Sequence, residues 1–174
     1  MEDLSENVIE ALRREALRIE EDCTLSSKRH FNTADVWKWA HYGLGIPAAL
    51  AAGGAGASAI GEEAIVAGAL GTASAFLSGL LTFLKPGETS AVHKGVGDKY
   101  LSLKNDTRIY RTVALLDVND QGLPSQLREL SDRRNSLNES SPVTPRWAFE
   151  KARKGVEQGE ATHAADKENS RVGS

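Results

Sequence analysis

The stretch AALAAGGAGASAIGEEAIVAGALGTASAFLSGLLTFLKPGE, Ala48–Glu88, decides how this chain folds. Between Lys38 and Lys85 the only ionised side chains are the adjacent Glu62 and Glu63. Three readings compete: a flexible Gly/Ala linker, a helical hairpin buried in a soluble bundle, and a pair of membrane spans. Trp39–Gly61 gives 23 residues without a formal charge, counting His41 as neutral, and Ala64–Leu84 gives 21. As helices these are about 34 and 31 Å long at 1.5 Å per residue. The hydrocarbon core of a bilayer is about 30 Å thick, so each segment suffices to span it. The Gly61-Glu62-Glu63 link leaves room only for a tight turn, whose carboxylates belong in water or at an interface.

A linker would lack large apolar side chains, yet the second segment holds Ile65, Val66, Leu70, Phe76, Leu77, Leu80, Leu81, Phe83 and Leu84. At 100° per residue these fall within roughly half of a helical wheel. The opposite arc carries Ala67, Gly68, Gly71, Ser74, Ala75, Ser78, Gly79 and Thr82. Helices in lipid associate through close backbone approach and hydrogen bonds, which favours small residues at their contacts. The bulky arc, Leu81 included, is therefore expected to face lipid, and the small arc to face protein. Ser74, Ser78 and Thr82 form a hydroxyl stripe that either packs against a helix or lines a water-filled pore. The first segment is less lipophilic, but Ala49, Gly53, Ala57 and Gly61 set a small residue at every fourth position, as do Ala67, Gly71, Ala75 and Gly79. This surplus of small surface points to an oligomer. The residues expected to pack helices or line a pore are Gly53, Ala57, Gly71, Ser74, Ala75, Ser78, Gly79 and Thr82. Glu62 and Glu63 either keep the turn wet or form an acidic ring at a cation-pore mouth.

The flanks set the orientation. Lys28, Arg29 and Lys38 precede the first span, Lys85, Lys94 and Lys99 follow the second, and the turn carries no base. The positive-inside rule then places both termini in the cytoplasm. Trp37, Trp39 and Tyr42 suit an interfacial aromatic belt. The 174-residue chain has a net charge of −3, which gives no global signal for nucleic acid. Its mean hydropathy of −0.36 averages an uncharged middle with strongly charged ends. Cys23 is the single cysteine, expected as a reduced thiol. The charged N-terminus has no apolar region of the kind a cleaved signal peptide needs.

The expected fold is all-α. Residues 1–38 form an N-terminal cytosolic helical arm, with Leu4, Val8, Leu12, Ile19 and Cys23 on one face. Residues 39–84 form a transmembrane helical hairpin with spans at 39–61 and 64–84. A cytosolic helix over 85–116 starts at Pro86 and presents Val92, Val96, Tyr100, Leu103, Thr107, Tyr110 and Ala114 as a coiled-coil-like seam. Residues 117–160 hold C-terminal helical segments, one with Leu123, Leu127, Leu130 and Leu137 in a stripe and one with Trp147, Ala148, Ala152 and Val156 on its apolar side. Residues 161–174 read as a polar, disordered tail.

No catalytic constellation is legible. GGAGASAIG lacks the strand and lysine of a phosphate loop. His30, His41, His93 and His163 offer no metal-ligand spacing, although His41 and His93 both fall beside the spans and could approach each other. Arg133-Arg134 read as a solvated face or as a contact for a phosphate. Tyr100 and Tyr110 read as core or as stacking platforms. No cofactor, metal or enzymatic activity is expected.

Taken in order, LRIEEDCTLSSKRHFNTADVWKWAHYGLGIPAALAA, AGALGTASAFLSGLLTFLKPGETSAVHKGVGDKYLSLKNDTR and LRELSDRRNSLNESSPVTPRWAFEKARKGVEQGEATHAAD resemble the SLATT domain family over residues 10 to 166. The distinctive pieces are LGIP opening the first span, FLKPGE followed by His93 leaving the second, and RRNSLNESSPVTPRWAF near the end. The resemblance implies a bacterial inner-membrane protein with two transmembrane helices and a cytosolic helical extension. It further implies an effector of a conflict or antiphage system that oligomerises and forms a pore or disrupts the membrane. The trigger it implies is a nucleotide second messenger or a partner sensor protein, since no sensor domain is appended. The alternative is a membrane-anchored helical scaffold without pore activity.

Overall fold

The computed structural model describes residues 2–117 and 120–160. The expected polar tail over 161–174 and the side chain of Leu4 lie outside the described residues. All regular elements among the described residues are helical, with no strand. They are α1 (Glu2–Ile60), α2 (Ala64–Leu84), α3 (Pro86–Thr112), a 3-10 turn (Ala114–Leu116), α4 (Leu123–Ser140) and α5 (Arg146–Glu157). Two of them, α1 and α2, carry segments long and apolar enough to cross a membrane. The chain divides into two compact units: residues up to Asn32 together with those from His93 onward, and Thr33–Val92.

The first unit is built on heptad spacing. In α1, Ile9, Leu12, Ala16, Ile19 and Cys23 recur in steps of three and four, and the last three are fully buried. Val8, expected on this face, is exposed instead, because the seam runs through its neighbour Ile9. From α3 come Val96, Tyr100, Leu103, Thr107 and Tyr110, and from α4 Leu123, Leu127, Leu130 and Leu137. Such 3-4 spacing keeps one stripe facing the partner helices. Val92, at the start of the expected seam, is exposed. Cross-contacts fix the directions. Arg111 grips buried Glu20 through Nε and Nη2 at 2.5 and 3.3 Å, and Arg134 meets Asp22 at 3.2 Å. Arg133 meets Asp106 at 2.9 Å, so both members of the Arg133-Arg134 pair are engaged by carboxylates. Tyr110 Oη donates to the Leu123 carbonyl at 3.0 Å. These pairs run α3 antiparallel to both α1 and α4.

Polar seam positions are satisfied locally. The hydroxyls of Thr24, Ser27 and Thr107 donate to carbonyls three or four residues earlier in their own helices. Gly97 lets α3 approach α1: a Cβ there would lie 2.7 Å from Phe31 Cε1. Burial, with a smaller contribution from Asp22, pushes the Cys23 thiol up to about 12, so it stays protonated and inert. α5 buries Ala148, Ala152 and Gly155 and receives a hydrogen bond from Asn32 Nδ2 at the Ala148 carbonyl, 3.3 Å.

The second unit pairs residues 33–60 of α1 with α2 and the first turns of α3. Ser90 Oγ donates to Ala34 O, and Gly87 faces the His41 ring. Further along, Gly45 meets Leu81, Ser74 Oγ donates to Ala48 O at 2.9 Å, and Gly54 meets Leu70. One number falls as the other rises, so the two segments run antiparallel. The reversal at 61–63 is a Schellman closure. Glu63 N–H bonds to Ser58 O at 2.8 Å and Glu62 N–H to Ala59 O at 3.4 Å, with Glu62 left-handed at φ 62°. Lys85, at φ 45°, ends α2 in the same conformation before Pro86 starts α3. α1 contains Pro47, which lacks the N–H that would have bonded the Gly43 carbonyl.

Candidate functional site

The chemistry of the second unit lies in its surface. No residue of α2 is buried, and its largest side chains point outward: Ile65 is 89% exposed and Phe83 86%, with Ile60 of α1 at 87%. Trp39, Ile46, Leu50 and Phe76 add to the same surface. A soluble monomer rarely carries a contiguous apolar patch of more than a few hundred Å². Within this unit no other element of the described residues covers that surface.

The contact between the two segments differs from the expected division by size. Half-buried positions of α2 are Ala67, Leu70, Gly71, Ser74, Leu77, Leu80 and Leu81. Gly71 and Ser74 thus sit at the contact, and so does Leu81, which was expected to face lipid and instead lies 3.8 Å from the Cβ position of Gly45. The reason is shape. A ridge of leucines fills a groove left by glycines on the facing helix. Gly54, absent from the expected set, is the tightest instance: a Cβ there would come within 2.9 Å of Leu70 Cδ1. Its signal in the sequence was its phase against α2, which only the register supplies.

The remaining expected residues, Gly53, Ala57, Ala75, Ser78, Gly79 and Thr82, are exposed. Among the described residues nothing lies within 4 Å of a Cβ position at Gly53 or Gly79. Thr82 Oγ1 donates to Ser78 O within its own helix at 2.9 Å. The hydroxyl stripe is therefore divided: Ser74 bonds across to α1, while Ser78 and Thr82 point away from it. Glu62 and Glu63 are exposed at the turn.

The histidine expectation is also revised. His41 lies tilted beside Tyr42, 5.6 Å between ring centroids, and faces Gly87. The ring partner of His93 is His30. Their Nδ1 atoms lie 3.0 Å apart, both rings are buried, and His30 stacks on Tyr100 at 5.8 Å and 22°. One Nδ1 must donate and the other accept. His30 Nε2 is buried without a hydrogen-bond partner among the described residues. An unpartnered buried acceptor costs less than an unpartnered N–H, so His30 donates from Nδ1 and His93 accepts. Tyr100 Oη in turn donates to Asn138 Oδ1 at 2.7 Å. Burial, then the charges on His93 and Arg29, lower the His30 pKa from 6.5 to about 4, and burial lowers that of His93. The pair is neutral at physiological pH. Its signal was present in the heptads, which continue from Cys23 through Ser26 to His30 and from His93 through Val96 to Tyr100.

Among the described residues no group of three or more His, Cys, Asp or Glu side chains is placed to hold a metal. Comparison with family models, curated proteins and solved structures gives no match.

Proposed function

We propose that this chain is a non-enzymatic bacterial inner-membrane effector. Residues 39–61 and 64–84 form a transmembrane hairpin, both termini are cytoplasmic, and copies associate through the small-residue surface that the hairpin leaves open. On a signal, a nucleotide second messenger or a partner sensor protein, the assembly opens or disrupts the membrane. The observation that carries this reading is the outward display of large apolar side chains along two charge-free helical segments of spanning length. In lipid that display is the stable state, because the apolar side chains meet hydrocarbon while the helices pair their backbone groups internally, the Gly43 carbonyl opposite Pro47 excepted. The resemblance to SLATT proteins supports the role in a conflict system.

Gly79→Leu separates assembly from folding. Among the described residues nothing lies within 4 Å of a Cβ at Gly79, so the variant keeps its helicity and its membrane partition. It should lose at least tenfold of the dye-leakage rate in reconstituted vesicles and its cross-linked higher oligomers. Phe83→Leu, apolar and outward before and after, should leak as the parent does. The measurement is made at protein-to-lipid ratios high enough to drive assembly without the signal, and vesicles that stay tight there would leave the membrane-anchored scaffold as the better reading. Leakage unchanged in Gly79→Leu would remove the small surface from the assembly.

A further inference from the structure

Beside the core of the first unit, α1 and α5 enclose a solvent-open groove of about 490 Å³. That is the size of a small-molecule site. Its floor is the Phe31 ring, held against Gly97, together with the small residues Ala152 and Gly155 of α5. Its walls carry Lys28, Lys151 and Lys154, with Trp147 partly exposed along one side. One anion already sits there. After α5 the chain turns in a Schellman motif, with Glu160 N–H on Gly155 O, Gly159 N–H on Val156 O and Gly159 at φ 82°. This turn delivers the Glu160 carboxylate to Lys28 Nζ at 2.6 Å. The Lys28 hydrogen bond and charge, with Lys151 behind them, hold the Glu160 carboxyl below its usual range.

We propose that this groove binds an organic phosphate ester, and that Glu160 is its displaceable internal occupant. The charges favour that class. Three lysines stand against Glu150 and Glu160, so moving Glu160 aside leaves an excess of two positive charges. A phosphate monoester carries close to two negative charges at neutral pH. The organic part of the ligand stacks on Trp147, while Asn32 and Gln158 line the wall with amide donors and acceptors. The phosphate comes either from a soluble nucleotide or from a lipid headgroup, and the same lysines serve both. The groove lies wholly within the first unit, so the proposal does not depend on membrane insertion.

The test uses the full chain in a neutral detergent, with Trp37→Phe and Trp39→Phe so that Trp147 alone reports. Adenosine monophosphate is titrated in one arm, short-chain phosphatidic acid in the second and inorganic phosphate in the third. A saturable change in Trp147 emission is expected in the first or second arm, and the tighter arm identifies the source. Lys151→Gln with Lys154→Gln should weaken binding at least tenfold. Glu160→Gln should tighten it several-fold, which a surface attraction to the lysines alone predicts far less strongly at high salt. Helical circular dichroism of these exposed variants should match the parent. Absence of saturation in both organic arms, equal affinity for inorganic phosphate, or an unchanged affinity in Glu160→Gln would overturn the assignment.

Discussion

Tyr100→Ala is expected to cost the first unit about 4 kcal/mol, within the range measured for removing buried aromatic rings. The ring is fully buried, stacks on His30 and sits among the stripes of α1, α3 and α4. Its hydroxyl bonds Asn138 and receives a contact from Ser141 Oγ at 3.4 Å. The alanine therefore leaves a cavity and removes the pin between α3 and α4. A domain of this size has a total stability of about 5–15 kcal/mol. The loss should lower the thermal midpoint by roughly 15 °C or more. Tyr100→Phe keeps the ring and loses only the hydroxyl, at about 1 kcal/mol. Thermal melts followed by circular dichroism distinguish the two. Equal losses in both variants would show that the hydroxyl network, and not ring packing, holds these helices.

The second large effect is acid destabilisation through the histidine pair. In the unfolded chain His30 takes up its proton near pH 6.5, but in the folded chain not until about pH 4. Between these values the unfolded state binds more protons, so stability falls as pH falls. At about 1.4 kcal/mol per pH unit for one proton, the full window removes about 3 kcal/mol. The lowered pKa of His93 adds in the same direction. The loss is fully reversed above pH 6.5. Burial is the main cause, and protonating both rings would in addition set two cations across a 3.0 Å contact inside the core. Arg29 already opposes it from α1, while buried Glu20 and exposed Asp22 lie further along the same helix. The measurement is the unfolding free energy between pH 4 and 7 for the parent and for His30→Asn. The parent curve should be steeper across this window, and parallel curves would contradict the account.

Particular residues mark how far the sequence could be read. The ends of α2 were legible because ionised residues stop at Glu63 and resume at Lys85, and no other part of the chain is so sharply bounded. The stripes of α3 and α4 were legible because Tyr100, Leu103 and Tyr110, and Leu123, Leu127 and Leu130, are apolar at heptad spacing. The α1 stripe was misplaced at Val8 because Val8 and Ile9 are adjacent and both apolar, so pattern alone does not choose between them. The His30–His93 contact stayed hidden because the α1 heptads pass through Ser26, a polar residue that reads as the end of a stripe. A helical wheel sorts side chains by size around one axis. It does not contain the partner, and so it sent Leu81 outward when Gly45 had left a space for it. The groove joins Lys28 to Glu160 across most of the chain, and no local pattern announces such a pair.

The central claim is that the two charge-free segments lie in lipid. Its most direct test is partition of the expressed full chain between membrane and supernatant after an alkaline carbonate wash, followed by brominated-lipid quenching of a tryptophan placed at Phe76 in a Trp37→Phe, Trp39→Phe, Trp147→Phe background. The account predicts that the chain stays with the membrane pellet and that the tryptophan is strongly quenched by bromines deep in the acyl chains. Recovery in the supernatant as a monodisperse particle without detergent, with no quenching, would contradict it.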